Sequence, residues 1–441
     1  MSGTVDPSPA APPLAEATPS GEPGGVAFRT LGCKVNRVEG ESVAASLLTA
    51  GARIVDEDAA HVVVISTCTV TGEADAKSRK AIRHALSAPG KPVVVVTGCG
   101  AAVDPDALRA LGDRVIVESD TDLVAMRVAE QLALSPQAAP TPRARAGEGF
   151  RTRALLKVED GCDAFCAYCI VPHARGVPRA VPLDQVASEA RALVAAGVRE
   201  IVLTGINIGR YDHDGAGLSA VVETVAASGI ERLRLSSIEP LDLTPAFLQM
   251  LSCTQAFCPH LHVPLQSGSD PVLSAMGRRY SAAQYAERIE AARRAIPGLA
   301  VTTDVLCAFP GETDAQAEET LRFCEDIGFA ALHVFRFSAR EGTPAATMPG
   351  RIEPRVSAAR SAALRAYGER LHAARATRRA GACARVLVEA AAPDGSGRGR
   401  TEDYLRVRVG DAASLVGRIV DVRLGLDSDG ALSGMIEPCA C

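Results

Sequence analysis

The chain has 441 residues, 47% of them apolar, and a formal net charge of −5. That length allows two to four domains, and the charge argues against bulk affinity for nucleic acid while leaving room for a locally basic face. No apolar run is long enough to span a bilayer, and residues 1–24 lack the basic start and apolar stretch of a secretion signal. Thirteen cysteines are an odd number for a disulfide framework. In a cytoplasmic protein without membrane attachment they read as metal ligands or free thiols.

Residues 1–25, rich in Pro, Ala and Ser, are expected to form a disordered tail. Over 26–135 apolar strands (VAFRTL, VVVIS, VVVVT, RVIVE) alternate with helical patterns (EGESVAASLLTAG, EADAKSRKAIRHAL, DPDALRALG, TDLVAMRVAEQLAL). Fully apolar strands alternating with helices predict a parallel, Rossmann-like sheet covered on both faces. Three strands run into a cysteine: Cys33 in TLGCKVN, Cys68 in STCTVT and Cys99 in TGCGA. Parallel strands end on one edge, where ligands bind, so these three distant cysteines are expected to converge. A single buried cysteine is usually just a small apolar residue; three at equivalent strand ends point to a metal site.

Residues 136–149 form a Pro/Ala-rich linker. Residues 150–350 hold six more strand patterns, RALLKV, EIVLTG, RLRLSS, HLHVPL, VTTDVLC and ALHVFRF, with helical stretches between them. Six βα units predict an open (β/α)6 barrel. The stretch GCDAFCAYC follows the first of these strands, at the C-terminal mouth where parallel barrels hold their chemistry. It carries Cys162, Cys166 and Cys169, too many thiols to pair off as disulfides. A four-iron cluster normally takes four thiolates, so three with no fourth nearby suggest a cluster with one iron open to a small ligand. Zinc with His173 as fourth ligand is the alternative that the local spacing leaves open.

Residues 351–379 read as a basic helical connector, with eight arginines against two glutamates, and as a candidate phosphate contact. Residues 380–441 read as a small all-β, OB-like domain. In DYLRVRV the strand alternation puts Tyr404, Arg406 and Arg408 on one face, suited to stacking on and neutralising RNA. The neighbouring GSGRGR, with Gly395 to Arg400, reads as a mobile basic loop.

Together these motifs resemble the methylthiotransferase family of radical S-adenosylmethionine (radical SAM) enzymes, over about residues 26–437. TLGCKVN, STCTVT and TGCGA are similar to its three N-terminal cysteine motifs, and KVEDGCDAFCAYCIVPHARG to its SAM-cluster signature. HVPLQSGSDPVLSAMGRRY and TTDVLCAFPGET resemble its later barrel motifs. The family's order of parts implies an N-terminal cluster-binding domain, the radical SAM barrel and a C-terminal RNA-binding TRAM domain. The resemblance implies two [4Fe-4S] clusters, one on Cys33, Cys68 and Cys99 and a catalytic one on Cys162, Cys166 and Cys169. It also implies two uses of SAM, as methyl donor and as radical source, together with a tRNA substrate, a reductant and a sulfur donor. Around SAM it implies Tyr168 beside the adenine, Gly205 against the methionine, and Ser236 and Glu239 near the ribose.

LTGINIGRY, RLRLSSIEP and HVFRFSAREGTPA look most like the branch acting on N6-threonylcarbamoyladenosine at tRNA position 37. The rival branches modify isopentenyladenosine or a ribosomal-protein aspartate. A more distant rival is a non-catalytic iron–sulfur or zinc RNA-binding module. Threonylcarbamoyladenosine carries a carboxylate, for which Arg210, Arg336 and Arg340 are candidate partners. The chain departs from the family where Ser66 replaces the usual Asn and Arg37 a common Gln. Neither change removes a ligand.

Overall fold

A computed structural model describes residues 24–134 and 152–437. The predicted linker and nearly all of the predicted tail lie outside the described residues. Two compact units are present, one built from the elements up to Gln131 and one from those after Arg153.

The first unit is a five-stranded parallel sheet: β1 (Gly25–Thr30), β2 (Arg53–Ile54), β3 (Val62–Thr67), β4 (Val93–Gly98) and β5 (Val115–Val117), in the order β2-β1-β3-β4-β5. β3 and β4 are apolar on both faces because both are covered. Val63, Ile65, Val94 and Val96 pack with Ala81, Ile82 and Ala85 of α2 (Gly72–Leu86). Val62, Val64, Val93 and Val95 pack on the other side with Val43 and Leu47 of α1 (Lys34–Thr49). The sequence reading began α1 near Glu39. The helix in fact starts directly after Cys33, which is its N-cap residue. Gly40 belongs to the helix because its bare Cα faces the Thr30 hydroxyl, 3.2 Å from where a Cβ would stand.

The second unit contains the predicted open barrel. Its strands are β6 (Arg153–Lys157), β7 (Glu200–Thr204), β8 (Arg232–Leu235), β9 (His260–His262), β10 (Ala300–Cys307) and β11 (Ala331–Arg336). β6, β7 and β8 form one parallel sheet and β9, β10 and β11 another. Parallel bridges Leu233–Phe257 and Ser237–His262 join the two into one curved wall. Leu261, Val263, Val301 and Val305 face outward into the large core, together with Tyr285 and Ile289 of the helix Ala282–Ala295. His260, His262, Thr302 and Asp304, at the alternate positions, face the lumen.

A helix, Pro354–Arg379, leads to a closed five-stranded barrel of β12 (Cys383–Ala391), β13 (Gly397–Thr401), β14 (Arg406–Val409), β15 (Ile419–Leu426) and β16 (Leu432–Ile436). This is the small OB-like domain expected from the sequence, with one correction. Gly397 to Arg400 are not a loop but part of β13. The two glycines are required there: a Cβ on Gly397 would lie 2.3 Å from Ala412 Cβ, and one on Gly399 2.4 Å from the Leu387 carbonyl oxygen. Reading glycine as loop failed because a small barrel also needs glycine where strands crowd.

The closed barrel plugs the N-terminal end of the open one. Arg232 donates to the carbonyls of Arg385 (2.7 Å) and Arg400 (3.2 Å), and Arg234 to those of Thr401 (2.8 Å) and Glu402 (2.7 Å). Both arginines are 1% exposed. Arg234 also donates to the buried Glu200 carboxylate at 2.8 Å. Tyr404 enters the same floor, its ring stacked on His260 at 4.3 Å with the Arg400 guanidinium 4.3 Å from its centroid.

Arg234→Ala is expected to leave Glu200 with only Arg153 and Arg232 at 3.7 Å, and to take the guanidinium from the Glu402 carbonyl and from the Thr401 carbonyl, which keeps the Tyr404 amide at 3.1 Å. A loss of about 3 kcal/mol follows. It should appear as a lower Tm and as faster proteolytic release of the C-terminal barrel; unchanged protection would place the lock elsewhere.

Candidate active site

The loop after β6 is fastened from several sides. The Cys162 amide donates to the Gly176 carbonyl, the Ala167 amide to Met276, the Cys169 amide to Cys166, and the Ala345 amide to Ala167. Gly161 (φ +94°) permits the turn, since a Cβ there would stand 2.1 Å from the Val177 carbonyl oxygen. Cys162, Cys166 and Cys169 thus share one pinned loop at the barrel mouth. Cys162 Sγ accepts from the Ala164 amide at 3.4 Å, and Cys166 Sγ from Arg278 Nη1 at 3.4 Å. Burial raises the Cys162 thiol and pushes Cys169 up to about 12, with the neighbouring sulfurs adding to both.

Arg278 is held by Glu239 and by the Tyr280 hydroxyl (3.1 Å). It lines an open cleft of about 480 Å³, mouth included, with Cys166, Asn207, Arg210, Glu239 and Asp242 among the walls. Burial, and then the neighbouring Glu239, raise Asp242 above the ordinary carboxylate range. Tyr168 packs against the buried group of Leu306, Phe309 and Met276, and burial raises its phenol well above the ordinary value. Ser236 is buried, and its hydroxyl has no hydrogen-bond partner among the described residues.

The close approach at Gly205 is made by protein. A Cβ there would lie 2.8 Å from Glu159 Oε2. Glu159 itself is fully buried and accepts from the Asn207 amide at 2.8 Å. Burial, with smaller opposing and reinforcing contributions from its neighbours, raises its carboxyl to about 7.

The three candidate carboxylate partners are not gathered at one point. Arg210 lines the cleft, with Asp163 3.9 Å away. Arg336 ends β11, opposite Cys307, and Arg340 lies in the following loop. In the C-terminal barrel, Tyr404 is withdrawn from the proposed RNA face. It sits in a turn at φ +72°, before β14 begins, with its ring in the barrel floor. Arg406 and Arg408 are exposed on β14, and Arg408 pairs with Asp427 and Asp429 at 3.3 Å. Arg398, exposed on β13, stands opposite Arg408.

In the first unit, β1, β3 and β4 end side by side and deliver the other three cysteines. Asn36 ties them: its Nδ2 donates to the Leu31 carbonyl (3.0 Å) and to the Thr67 carbonyl (2.8 Å), and Cys33 Sγ points at its Oδ1 (3.8 Å). Gly32 leaves room for Cys68, whose Cβ would be 2.9 Å from a Cβ at that position. Gly98 leaves room for Thr67 and Asn36 in the same way, immediately before Cys99. The sequence reading gave no role to Asn36, Glu159, Asn207 or Arg278. The usable signal for Asn36 was a polar side chain one helical turn after the strand-end cysteine.

Residues 156–324 match the family model described as the radical SAM superfamily, and residues 25–117 the one described as uncharacterized protein family UPF0004. The chain is 37% identical over 421 residues to the threonylcarbamoyladenosine tRNA methylthiotransferase MtaB of Bacillus subtilis, covering 90% of this chain and 93% of that one. The chain belongs to the radical SAM methylthiotransferase family. A second family member, the tRNA-2-methylthio-N(6)-dimethylallyladenosine synthase of Cereibacter sphaeroides, is 32% identical over 438 residues, covering 92% of this chain and 97% of that one. The fold is also similar to that of a solved radical SAM methyltransferase, TsrM from Kitasatospora setae, at a TM-score of 0.55 and 14% identity, with 73% and 74% of the two chains covered. Membership brings a [4Fe-4S] cluster and SAM as cofactors. Among the described residues no helix is long and apolar enough to cross a membrane.

The raised Glu159 carboxyl sets a pH dependence. Its contribution to stability is full below the ordinary value of 4.5 and is lost as pH rises through about 7. Glu159→Gln should therefore melt like the parent near pH 4.5 and be more stable at pH 8 by roughly 1–3 kcal/mol. Parallel Tm-against-pH curves for the two proteins would contradict this.

Proposed function

We propose that the chain is a tRNA methylthiotransferase that replaces the C2 hydrogen of N6-threonylcarbamoyladenosine at position 37 with a methylthio group. The observation that carries this is the 37% identity, over nine-tenths of the chain, to a protein named for that activity. It is supported by two cysteine triads, each gathered on one strand-end edge. A tRNA substrate agrees with the cytoplasmic location expected from the sequence.

The donor set at the barrel mouth suits a four-iron cluster with one iron open. Three thiols share a pinned loop, with an amide hydrogen on Cys162 Sγ and a guanidinium on Cys166 Sγ, which offset the negative charge of a thiolate-bound cluster. When bound, this cluster and SAM supply the electron and the radical source for attack on an unreactive aromatic C–H bond. Arg278 balances charge at Cys166, and Glu239 fixes the direction of that guanidinium. The buried Ser236 hydroxyl, without a hydrogen-bond partner among the described residues, is assigned to the ribose. Tyr168, packed on Phe309 and Leu306, is assigned to the adenine, and Glu159 holds the Asn207 amide and the backbone at Gly205 in place.

The triad of Cys33, Cys68 and Cys99 is assigned to a second [4Fe-4S] cluster, associated with the sulfur that is methylated and inserted. Asn36 is its positioning residue, because one side chain ties the ends of β1 and β3. A reductant and a sulfur donor complete the requirement. Arg210, in the cleft beside Cys166, is the arginine best placed for the threonyl carboxylate; the isopentenyl group of the rival nucleoside has nothing to offer it. The RNA face of the C-terminal barrel is assigned to Arg398, Arg406 and Arg408, which position the tRNA through its phosphates.

Nucleosides from a strain lacking this protein should contain threonylcarbamoyladenosine without its 2-methylthio form. The intact chain should restore the product and Cys99→Ala should not. Restoration of 2-methylthio-isopentenyladenosine instead would overturn the substrate and leave the chemistry standing. In the anaerobically reconstituted protein, iron should be near eight per chain. Replacing Cys162, Cys166 and Cys169 together by Ala should halve it. Ala at Arg398, Arg406 and Arg408 should weaken tRNA binding and flatten its salt dependence.

A further inference from the structure

The lumen of the open barrel holds a second constellation of donors that the reaction above does not use. His262 ends β9, Asp304 lies in the middle of β10 and His333 in β11. Pairing in register sets them side by side: His262 opposite Thr302, and Asp304 opposite His333. His262 Nε2 and His333 Nδ1 each lie 3.2 Å from Asp304 Oδ1. Among the described residues these three are the His/Cys/Asp/Glu group whose donor atoms all fall within 4.8 Å of one another.

The orientation of the group is built. Thr302 Oγ1 lies 2.9 Å from His262 Nδ1 and 3.0 Å from His260 Nε2. One hydroxyl can accept from the first ring and donate to the second. With its hydrogen on Nδ1, His262 would keep an Nε2 lone pair for an ion placed between it and Asp304, whereas without an ion the other tautomer donates Nε2–H to Asp304 Oδ1. A ring nitrogen fixed by a hydrogen bond while the other faces a carboxylate is how metal-binding histidines are held. Side-chain exposures of 12%, 24% and 55% for His262, Asp304 and His333 leave one open side, toward the lumen and the free edge of β11.

We propose that His262, Asp304 and His333 form a binding site for a divalent transition-metal ion of the zinc class, with a fourth position open to the barrel lumen. Two imidazoles and one carboxylate are a donor set such ions accept. The carboxylate leaves one positive charge on the bound ion, so the open position takes water or an anionic oxygen or sulfur ligand. Leu306, two residues beyond Asp304 on the same strand face, packs with Ala167 of the cysteine loop. Asp304 is therefore two residues of strand, about 7 Å, below the residue that touches that loop, so the site and the cysteines share one end of the lumen.

The test uses the reconstituted protein with its iron in place. After chelator treatment it is equilibrated with zinc under argon and gel-filtered. Zinc per chain is then counted and its coordination read from X-ray absorption. About one zinc per chain is expected, with nitrogen and oxygen near 2.0 Å and no sulfur near 2.3 Å. His333→Gln, at the most exposed ligand, should weaken zinc retention tenfold or more while iron content stays the same. Asp304→Asn should do likewise, and either variant decides the matter if the other fails to fold. No retained zinc, a sulfur shell, or nitrogen- and oxygen-bound zinc that survives the variants would overturn the proposal.

Discussion

Parallel strands all finish on the same edge, and this constraint organises both units. It takes cysteines 35 and 31 residues apart in the chain and sets them around one asparagine. It also puts the loop after β6 at the mouth of a curved wall, where the segments after β7, β8 and β9 contribute Asn207, Glu239 and Arg278. An antiparallel sheet would have sent alternate strand ends to opposite edges. The cost of the arrangement is that every strand must be covered on both faces, which is why β3 and β4 are almost pure valine.

The same rule made much of the molecule legible. Runs such as VVVIS and VVVVT have one stable use, and a cysteine at the end of each has one place to go. The alternation in DYLRVRV correctly put Arg406 and Arg408 outside and Val407 and Val409 inside. It failed at Tyr404 because period-two logic assumes that the strand has already begun, whereas that residue is in a left-handed turn. Its ring is then free to leave the sheet and enter the other barrel. GRGRT was unreadable for a related reason: its glycines answer crowding by Ala412 and the Leu387 carbonyl, contacts that lie far away in sequence.

RLRL carried a signal of a different kind. Two arginines alternate with leucines in a strand beside EIVLT, whose one acidic residue is Glu200, and the structure buries both. A guanidinium has five donors and no acceptor, so burying two demands a set of carbonyl oxygens in fixed positions. The C-terminal barrel supplies them. Strand-level reasoning identifies such a position as unusual but cannot name the partner, because the partner is backbone. Glu159 and Asn207 were hidden likewise: what matters is a carboxylate bonded to a main-chain amide across 48 residues.

The docking of the closed barrel beneath the open one fixes a length. β10, with eight residues, runs from the floor toward the mouth over a strand length of about 26 Å. Buried arginines hold the two barrels as one body, so neither can tilt to shorten that length. The exposed face of β13 and β14 and the cysteine loop are thereby held at a set separation, one beneath the open barrel and the other at its mouth.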